Sequence, residues 1–264
     1  MNDSTVRRPI KWNSYGDTHV GMVRKVNEDS ILSKSDMCLW AVADGMGGYE
    51  AGDYASNMIV STLGETEYDQ DLNDMANKLV TSLNSANQRI LDYSKHKLNN
   101  RTTGSTVVCL VIRDSVGMCL WAGDSRLYRF RNQRLEQISQ DHSQVEELIR
   151  QGMISREEAK DHPQSNVITR AIGASPNVII DTHSFSIMPG DTFLLCSDGL
   201  YNAVTEDEIN YFLKNYNTNE CVNGFISRAL ENGAKDNVSA IVIKGERDMA
   251  EIKPDFINEH LLSE

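Results

Sequence analysis

No run in this 264-residue chain comes near the ~20 consecutive apolar residues that a membrane-spanning helix needs. Residues 1–9 carry charge but no apolar centre, which argues against a secretory signal and leaves a loose leader as the expectation. Basic residues are scarce beside acidic ones: 26 Lys and Arg stand against 38 Asp and Glu, a net charge of −12. A nucleic-acid partner is thereby disfavoured, because phosphate contacts need a basic surface. A phosphorylated partner stays compatible with the charge if a metal supplies the positive counterpart. A cytoplasmic protein with no membrane partner is expected.

Cysteine and histidine chemistry is sparse as well. The five cysteines (Cys38, Cys109, Cys119, Cys196, Cys221) form no C-x-x-C pair, and four of them lie inside apolar runs, so they read as small core residues in a reducing compartment. None begins a C-x5-R motif: six residues past Cys119 is Ser125, and the arginine follows one later. The six histidines show no H-x-x-x-H spacing, which argues against a zinc site. Gly45-Met46-Gly47-Gly48-Tyr49-Glu50 starts like a dinucleotide fingerprint but has Glu50 at the third glycine position, and no Walker-type lysine is present. Gly123-Asp124-Ser125-Arg126-Leu127 lacks the closing glycine of a nucleophile elbow.

What the chain does contain is aspartate at the tips of apolar runs. Leu39-Trp40-Ala41-Val42-Ala43 stops at Asp44-Gly45, Met118-Cys119-Leu120-Trp121-Ala122-Gly123 at Asp124, and Phe193-Leu194-Leu195-Cys196-Ser197 at Asp198-Gly199. In mirror image, Asp236-Asn237 precedes the apolar run at residues 238–243. One such aspartate would be an ordinary turn residue. Four of them, three next to glycine, suggest a carboxylate cluster at one end of a sheet, where hard divalent cations bind. Two such ions close together can share a water and lower its pKa, and a nearby arginine can hold a phosphate.

Between these runs the spacing predicts strands at residues 11–20, 30–32 and 39–43, then helices over 51–63 and 72–97. Hairpins follow at 105–112 with 116–122 and at 127–130 with 135–138. Short helices are expected after Ser143 and at the Ser155/Glu158 capping box, strands at 178–187 and 191–196, and helices after the Thr205/Glu208 box and over 218–231. A strand at 238–243 closes the sheet, and residues 246–264 read as a peripheral charged tail. The order is α+β with antiparallel pairing, a single domain over residues 11–245, with a weakly patterned excursion at 144–166.

The motifs in chain order are Arg24-x-x-Asn27-Glu28-Asp29, Val42-Ala43-Asp44-Gly45-Met46-Gly47-Gly48, Gly123-Asp124-Ser125-Arg126, Asp141-His142-Ser143, Ile168-Thr169-Arg170-Ala171-Ile172-Gly173, Ser197-Asp198-Gly199 and Lys235-Asp236-Asn237. In this set the chain resembles the metal-dependent serine/threonine protein phosphatases (PPM, type 2C) in their bacterial form, from about residue 15 to 243. The resemblance implies an αββα sandwich of two antiparallel sheets flanked by helices, with residues 144–166 as the flap. It implies two core Mn2+ or Mg2+ ions: Asp44 bridging both, the Gly45 carbonyl on one, Asp198 and Asp236 on the other, and Glu28 and Asp29 acting through waters. Arg24 would hold the substrate phosphate, a hydroxide between the ions would attack it, and Asp124 would serve a weaker third site.

Two positions depart from the family pattern: Met46 stands where animal members have a histidine, and Asn202 where many members have an aspartate. The partners implied are phosphorylated proteins and a cognate kinase, with the chain acting as a monomer. The stretch 39–44, continuing through Ala51-Gly52-Asp53, also resembles members linked to secretion-system control. Two other readings are a regulatory pseudophosphatase that binds phosphoproteins without turnover, and a phosphatase output domain relying on separate sensory chains.

Overall fold

The apolar strand runs are continuous rather than alternating because both faces of each strand are covered. In β3 (Leu39–Met46), Leu39, Ala41 and Ala43 pack outward against α1 (Ala51–Gly64) and α2 (Leu72–Lys97), while Trp40 and Val42 point into the layer between two sheets. In β5 (Val107–Arg113), Val107, Cys109 and Val111 likewise face the helices, and Val108, Leu110 and Ile112 face the other sheet. The structure, a computed structural model, describes residues 10–47, 51–99, 101–160, 162–164 and 166–247. The expected leader and charged tail fall almost wholly outside the described residues, as do Gly48, Tyr49 and Glu50.

One sheet takes the order β2 (Asp29–Lys34), β3, β5, β6 (Val116–Ala122), β9 (Asp181–Ser186), with β4 (Gly104–Ser105) paired to the far end of β3. The second has the order β1 (Ile10–His19), β11 (Val238–Arg247), β10 (Thr192–Cys196), β7 (Arg126–Arg131), β8 (Arg134–Gln137). All named pairings are antiparallel. On the outer face of the second sheet, α6 (Glu206–Asn215) and α7 (Thr218–Glu231) cover Leu194, Cys196, Ala240 and Val242. The αββα sandwich is therefore present. Among the described residues, no helix is long and apolar enough to cross a membrane.

Helix ends follow local chemistry. Asp71 caps α2, Ser143 caps α3 (Gln144–Arg150), and Thr205 with Glu208 closes a full capping box on α6. Ser155 and Glu158 exchange the same bonds at α4 (Arg156–Lys160). A further box, Asn217 with Glu220, starts α7 and is not among the sequence expectations.

Three expectations need correction. The strand expected over 178–187 begins only at Asp181, where β9 meets Trp121 at the end of β6; Val178 and Ile180 instead pack against the helical core. The strand expected from residue 105 is split at Thr106, because the Asp44 amide opposite it donates to the Thr106 hydroxyl at 3.2 Å and leaves the ladder between β4 and β5 with one bond, from the Thr106 amide to the Asp44 carbonyl. Strand β3 continues past Asp44 to Met46, since Gly45 and Met46 find partners in Ser105 and Gly104. Four of the cysteines are buried, Cys38 is half-buried, and all five are free.

Substituting a fully buried side chain on α2 tests this layering. Leu79→Ala is expected to lower unfolding free energy by about 2–5 kcal/mol, against a change within about 0.5 kcal/mol for exposed Gln88→Ala, measured by urea unfolding.

Candidate functional site

The antiparallel registers bring the sequence-distant aspartates to one end of the sandwich. Asp29 opens β2 directly opposite Asp44 in β3. In the other sheet, Cys196 pairs with Ala240, which sets Ser197-Asp198 beside the turn containing Asp236. Asp198 is the first residue of a four-residue helix, α5 (Asp198–Tyr201), where carboxylate charge suits the exposed amides. The sequence reading places no element over these four residues.

Buried Asp29 joins the two sheets. Its Oδ2 accepts from Ser197 Oγ at 2.8 Å and from Ser239 Oγ at 2.6 Å, both on the opposite sheet. Neither serine was singled out from sequence, since nothing local marks a hydroxyl whose partner lies 168 or 210 residues away. Glu28, one residue earlier, points its Oε1 at the Gly52 amide in the first turn of α1, 3.1 Å away, and its carbonyl accepts from the Gly45 amide at 3.0 Å. A Cβ on Gly45 would collide with the Gly52 and Glu28 carbonyls, and one on Gly199 with the Asn237 carbonyl. These two glycines are required by close backbone packing around the carboxylates, in addition to any ligand approach.

Arg24 lies in the irregular segment between β1 and β2, and its Nη2 donates to Asp236 Oδ2 at 2.6 Å. Asn237, buried next to Asp236, receives the Glu28 amide on its Oδ1 at 2.8 Å. Asp124 follows Gly123, whose φ of 115° and contact with Thr106 admit no side chain without strain. Thr106 Oγ1 accepts from the Asp44 amide at 3.2 Å and shares a 2.6 Å bond with Ser125 Oγ, tying Asp44 to the Asp124 turn.

His142, quoted above only as part of a motif, braces that turn. Its Nδ1 accepts from the Gly123 amide at 3.1 Å and its own amide donates to the Gly123 carbonyl at 2.9 Å. The neutral ring then carries its proton on Nε2, 3.1 Å from Asp181 Oδ2. Burial lowers the His142 pKa, outweighing the Asp181 bond that raises it. Arg126 is held by Asp141 and stacks on Tyr201, whose hydroxyl donates to the Asp124 carbonyl at 3.1 Å.

The cluster is short of positive charge. Burial and then the neighbouring carboxylates push Asp44 well above the ordinary range. Burial pushes Asp29 and Asp198 up to about 6 and Asp124 to about 7, and it raises Glu28 despite the Gly52 bond. Six buried side-chain nitrogen or oxygen atoms lack a partner among the described residues, and two of them, Asp29 Oδ1 and Asp198 Oδ1, are carboxylate oxygens of this cluster. Unpaired, acceptor-only oxygens under mutual repulsion are a donor set suited to a hard divalent cation. Among the described residues no three His, Cys, Asp or Glu side chains cage an ion by themselves, so carbonyls or waters must complete any shell. Mg2+ and its analogues are commonly held this way.

The layered sandwich with this acidic end has the architecture of bacterial serine/threonine phosphatases. Solved structures similar to this chain include PppA, a key regulatory component of T6SS in Pseudomonas aeruginosa, with 39% identity, a TM-score of 0.82 and coverage of 90% of this chain and 99% of that one. Another is the catalytic domain of PstP in complex with two manganese ions, with 30% identity, a TM-score of 0.82 and coverage of 90% and 99%. A serine/threonine phosphatase, stp, of Listeria monocytogenes is 36% identical over 242 residues, covering 89% of this chain and 95% of that protein. The family model described as Protein phosphatase 2C matches residues 16–237. The chain belongs to the protein phosphatase 2C family, and it is a phosphatase of that family.

The raised carboxylate pKa values set the pH dependence of the metal-free protein. Asp29, Asp44, Asp124 and Asp198 all bind protons more tightly when folded than at the unfolded value of ~3.9. Their contribution to stability is fully present below that value and is lost as pH rises through about 6 to 7. His142 acts oppositely, as do Asp181 and the solvent-exposed carboxylates Asp69, Glu147, Glu158 and Glu208, whose effect solvent screening keeps small. With chelator present, the urea midpoint should therefore fall as pH is raised from about 4 to about 8. At pH 7, Mn2+ should raise it again. Asp44→Asn should stabilise the metal-free protein by on the order of 1 kcal/mol and remove most of the Mn2+ response. A chelated midpoint that climbs steadily over this range would contradict the account.

Proposed function

We propose that the chain hydrolyses phosphoserine and phosphothreonine on proteins with two divalent ions, Mn2+ or Mg2+, held by the acidic end of the sandwich. The observation that carries this reading is the pair of buried, partnerless carboxylate oxygens on Asp29 and Asp198 beside an arginine at the rim. Asp44, at the centre of the repulsion, is the group we assign to both ions, with the Gly45 carbonyl on one and Asp198 and Asp236 on the other. Glu28 and Asp29, already committed to Gly52, Ser197 and Ser239 through one oxygen each, would hold water with the other.

Ions bound there would supply an acidified water as nucleophile and would neutralise charge on the phosphoryl group. Every remaining task belongs to the chain. Arg24 uses only Nη2 on Asp236, so its other donors can clamp two phosphate oxygens. Met46 carries no proton and its methyl end lies near Gly104, so it takes no part in proton transfer. No side chain at the site is needed as a covalent nucleophile, since every cysteine other than half-buried Cys38 is buried, and burial raises the Cys38 pKa.

Asn202 supports a weak third site. Its Nδ2 lies 3.3 Å from Asp198 Oδ2, so a neutral amide stands where a carboxylate would strengthen a site shared with Asp124. A cytoplasmic, monomeric enzyme opposing a kinase completes the reading, and the likeness to PppA supports secretion control as its setting. The pseudophosphatase reading has no observation in its favour, since Asp44, Asp198 and Asp236 are all in place.

Hydrolysis of a phosphothreonine peptide with chelator, Mg2+ or Mn2+ tests the proposal. Turnover should require metal, and Asp44→Asn should reduce kcat/KM by more than the ~100-fold that partners of metal ligands typically cost. Arg24→Ala should raise KM about tenfold or more. Turnover in chelator, or full activity in Asp44→Asn, would sink it. Asn202→Asp should shift the metal-activation curve to lower concentration; an unchanged curve would remove Asn202 from the account of the third site.

A further inference from the structure

Arg24 is an exposed residue in a segment with neither helix nor strand, yet a phosphate clamp needs a fixed position. What fixes it is a single buried amide. Asn237 Nδ2 donates to the Val20 carbonyl at 2.8 Å and to the Val26 carbonyl at 3.0 Å, while Oδ1 accepts from the Glu28 amide at 2.8 Å. One side chain therefore spends both donors and its acceptor on the two ends of the segment that carries Arg24. The segment is further drawn onto the same turn by the Met22 amide, which donates to the Ala234 carbonyl at 2.9 Å. Gly21, with φ 81°, lies so close to the Asp236 carbonyl that a side chain could not fit.

The residue before Asn237 controls the other end of the arginine: Asp236 Oδ2 accepts from Nη2. Base and tip of Arg24 are thus both held by one dipeptide just before β11, 212 residues away in sequence. The Asn237 amide also donates to Asp236 Oδ1 at 2.9 Å, a bond that no substitution of Asn237 other than proline removes.

We propose that Asn237 is the positioning residue for phosphate recognition: its carboxamide sets the Arg24 segment against the metal-binding end of the sandwich, and with it the affinity for the substrate's phosphate. The inference rests on the proposed role of Arg24. It assigns Asn237 no contact with substrate or ion.

Asn237→Asp tests it closely, because the variant keeps the acceptor for Glu28 but turns an oxygen towards two carbonyls. Asn237→Ala, which removes the staple without adding a charge, carries the same measurements if the first variant does not fold. The expected result is a rise of about tenfold in KM for a phosphothreonine peptide and in Ki for inorganic phosphate, with kcat within about threefold of the parent. Hydrogen exchange should accelerate across residues 21–28 while α7 and the central strands stay protected. Combined with Arg24→Ala, the Asn237 substitution should add little further loss, because both act through one arginine.

Unchanged phosphate affinity, unchanged exchange at 21–28, or full additivity with Arg24→Ala each overturns the proposal. So does a rise in the Mn2+ needed for activation with phosphate affinity intact, which would assign Asn237 to Asp236. If the parent protein shows no turnover with any metal, the phosphatase reading fails. Calorimetric binding of inorganic phosphate with Mn2+ present, together with hydrogen exchange, then decides the role of Asn237 separately.

Discussion

The constraint on which the site depends is the carboxylate of Asp29, held between two sheets whose shared core is apolar. Two hydroxyls from the second sheet satisfy one of its oxygens, and the other has no protein partner. Burying such a group is unfavourable, as its pKa of about 6 records, and the serine bonds offset only part of that cost. A purely stabilising design would place an apolar pair here. The carboxylate instead couples the β2–β3 edge, where Asp44 sits, to the β10–β11 edge, where Asp198 and Asp236 sit. The two halves of the acidic cluster are registered by the same interaction that leaves it under strain.

That strain is distributed rather than relieved. Asp44 takes repulsion from four other aspartates, and Arg24, the arginine paired within the cluster, is exposed at its rim and engaged with Asp236. Surface ion pairs of this kind contribute little stability. The rigid frame behind the cluster supplies the remainder: Thr106 and Ser125 behind Asp44, His142 behind Gly123, Tyr201 behind Asp124. Each bond fixes a backbone or a carboxylate position without neutralising charge. Such a frame keeps like charges together for an ion that will pair with them, a local conflict of the sort expected where function overrides stability.

The parts legible in the sequence are those set by local chemistry. The continuous apolar runs of β3 and β5, period-3.6 burial at Met75, Leu79, Leu83, Ala86 and Ile90, and the Thr205/Glu208 box all depend on near neighbours. The strand-end aspartates are legible for the same reason, since each interrupts an apolar run. What tunes them is not legible. Ser197, Ser239, Thr106 and Asn237 act on partners tens to hundreds of residues away, and a serine after an apolar run carries no mark of the carboxylate it will meet. Ser197 even stands at the N-cap of α5, but its hydroxyl goes to Asp29 in place of the helix. The short α5 is not legible because four residues closed by local bonds are too few to show a period, and the break at Thr106 is not because a tertiary bond creates it.

The excursion expected at residues 144–166 is tied to the same frame at its root. Residues 144–166 leave the domain at Ser143 and return at Ile168, and those two residues bridge to each other. Immediately inside this bridge, His142 exchanges backbone bonds with Gly123 and Thr169 while its ring reaches the Gly123 amide and Asp181. The root of the excursion is thus a closed set of bonds that also determines where Asp124 stands. Beyond the root, α3 and α4 are short, and among their described residues only Ala159 is buried. Sequence in the outer flap can change without altering the Asp124 turn, because a change there meets solvent before it meets the brace. The side chains that fix the Asp124 turn, His142 on the Gly123 amide and Asp141 on Arg126, lie outside residues 144–166, so the weak patterning of that stretch leaves the turn intact.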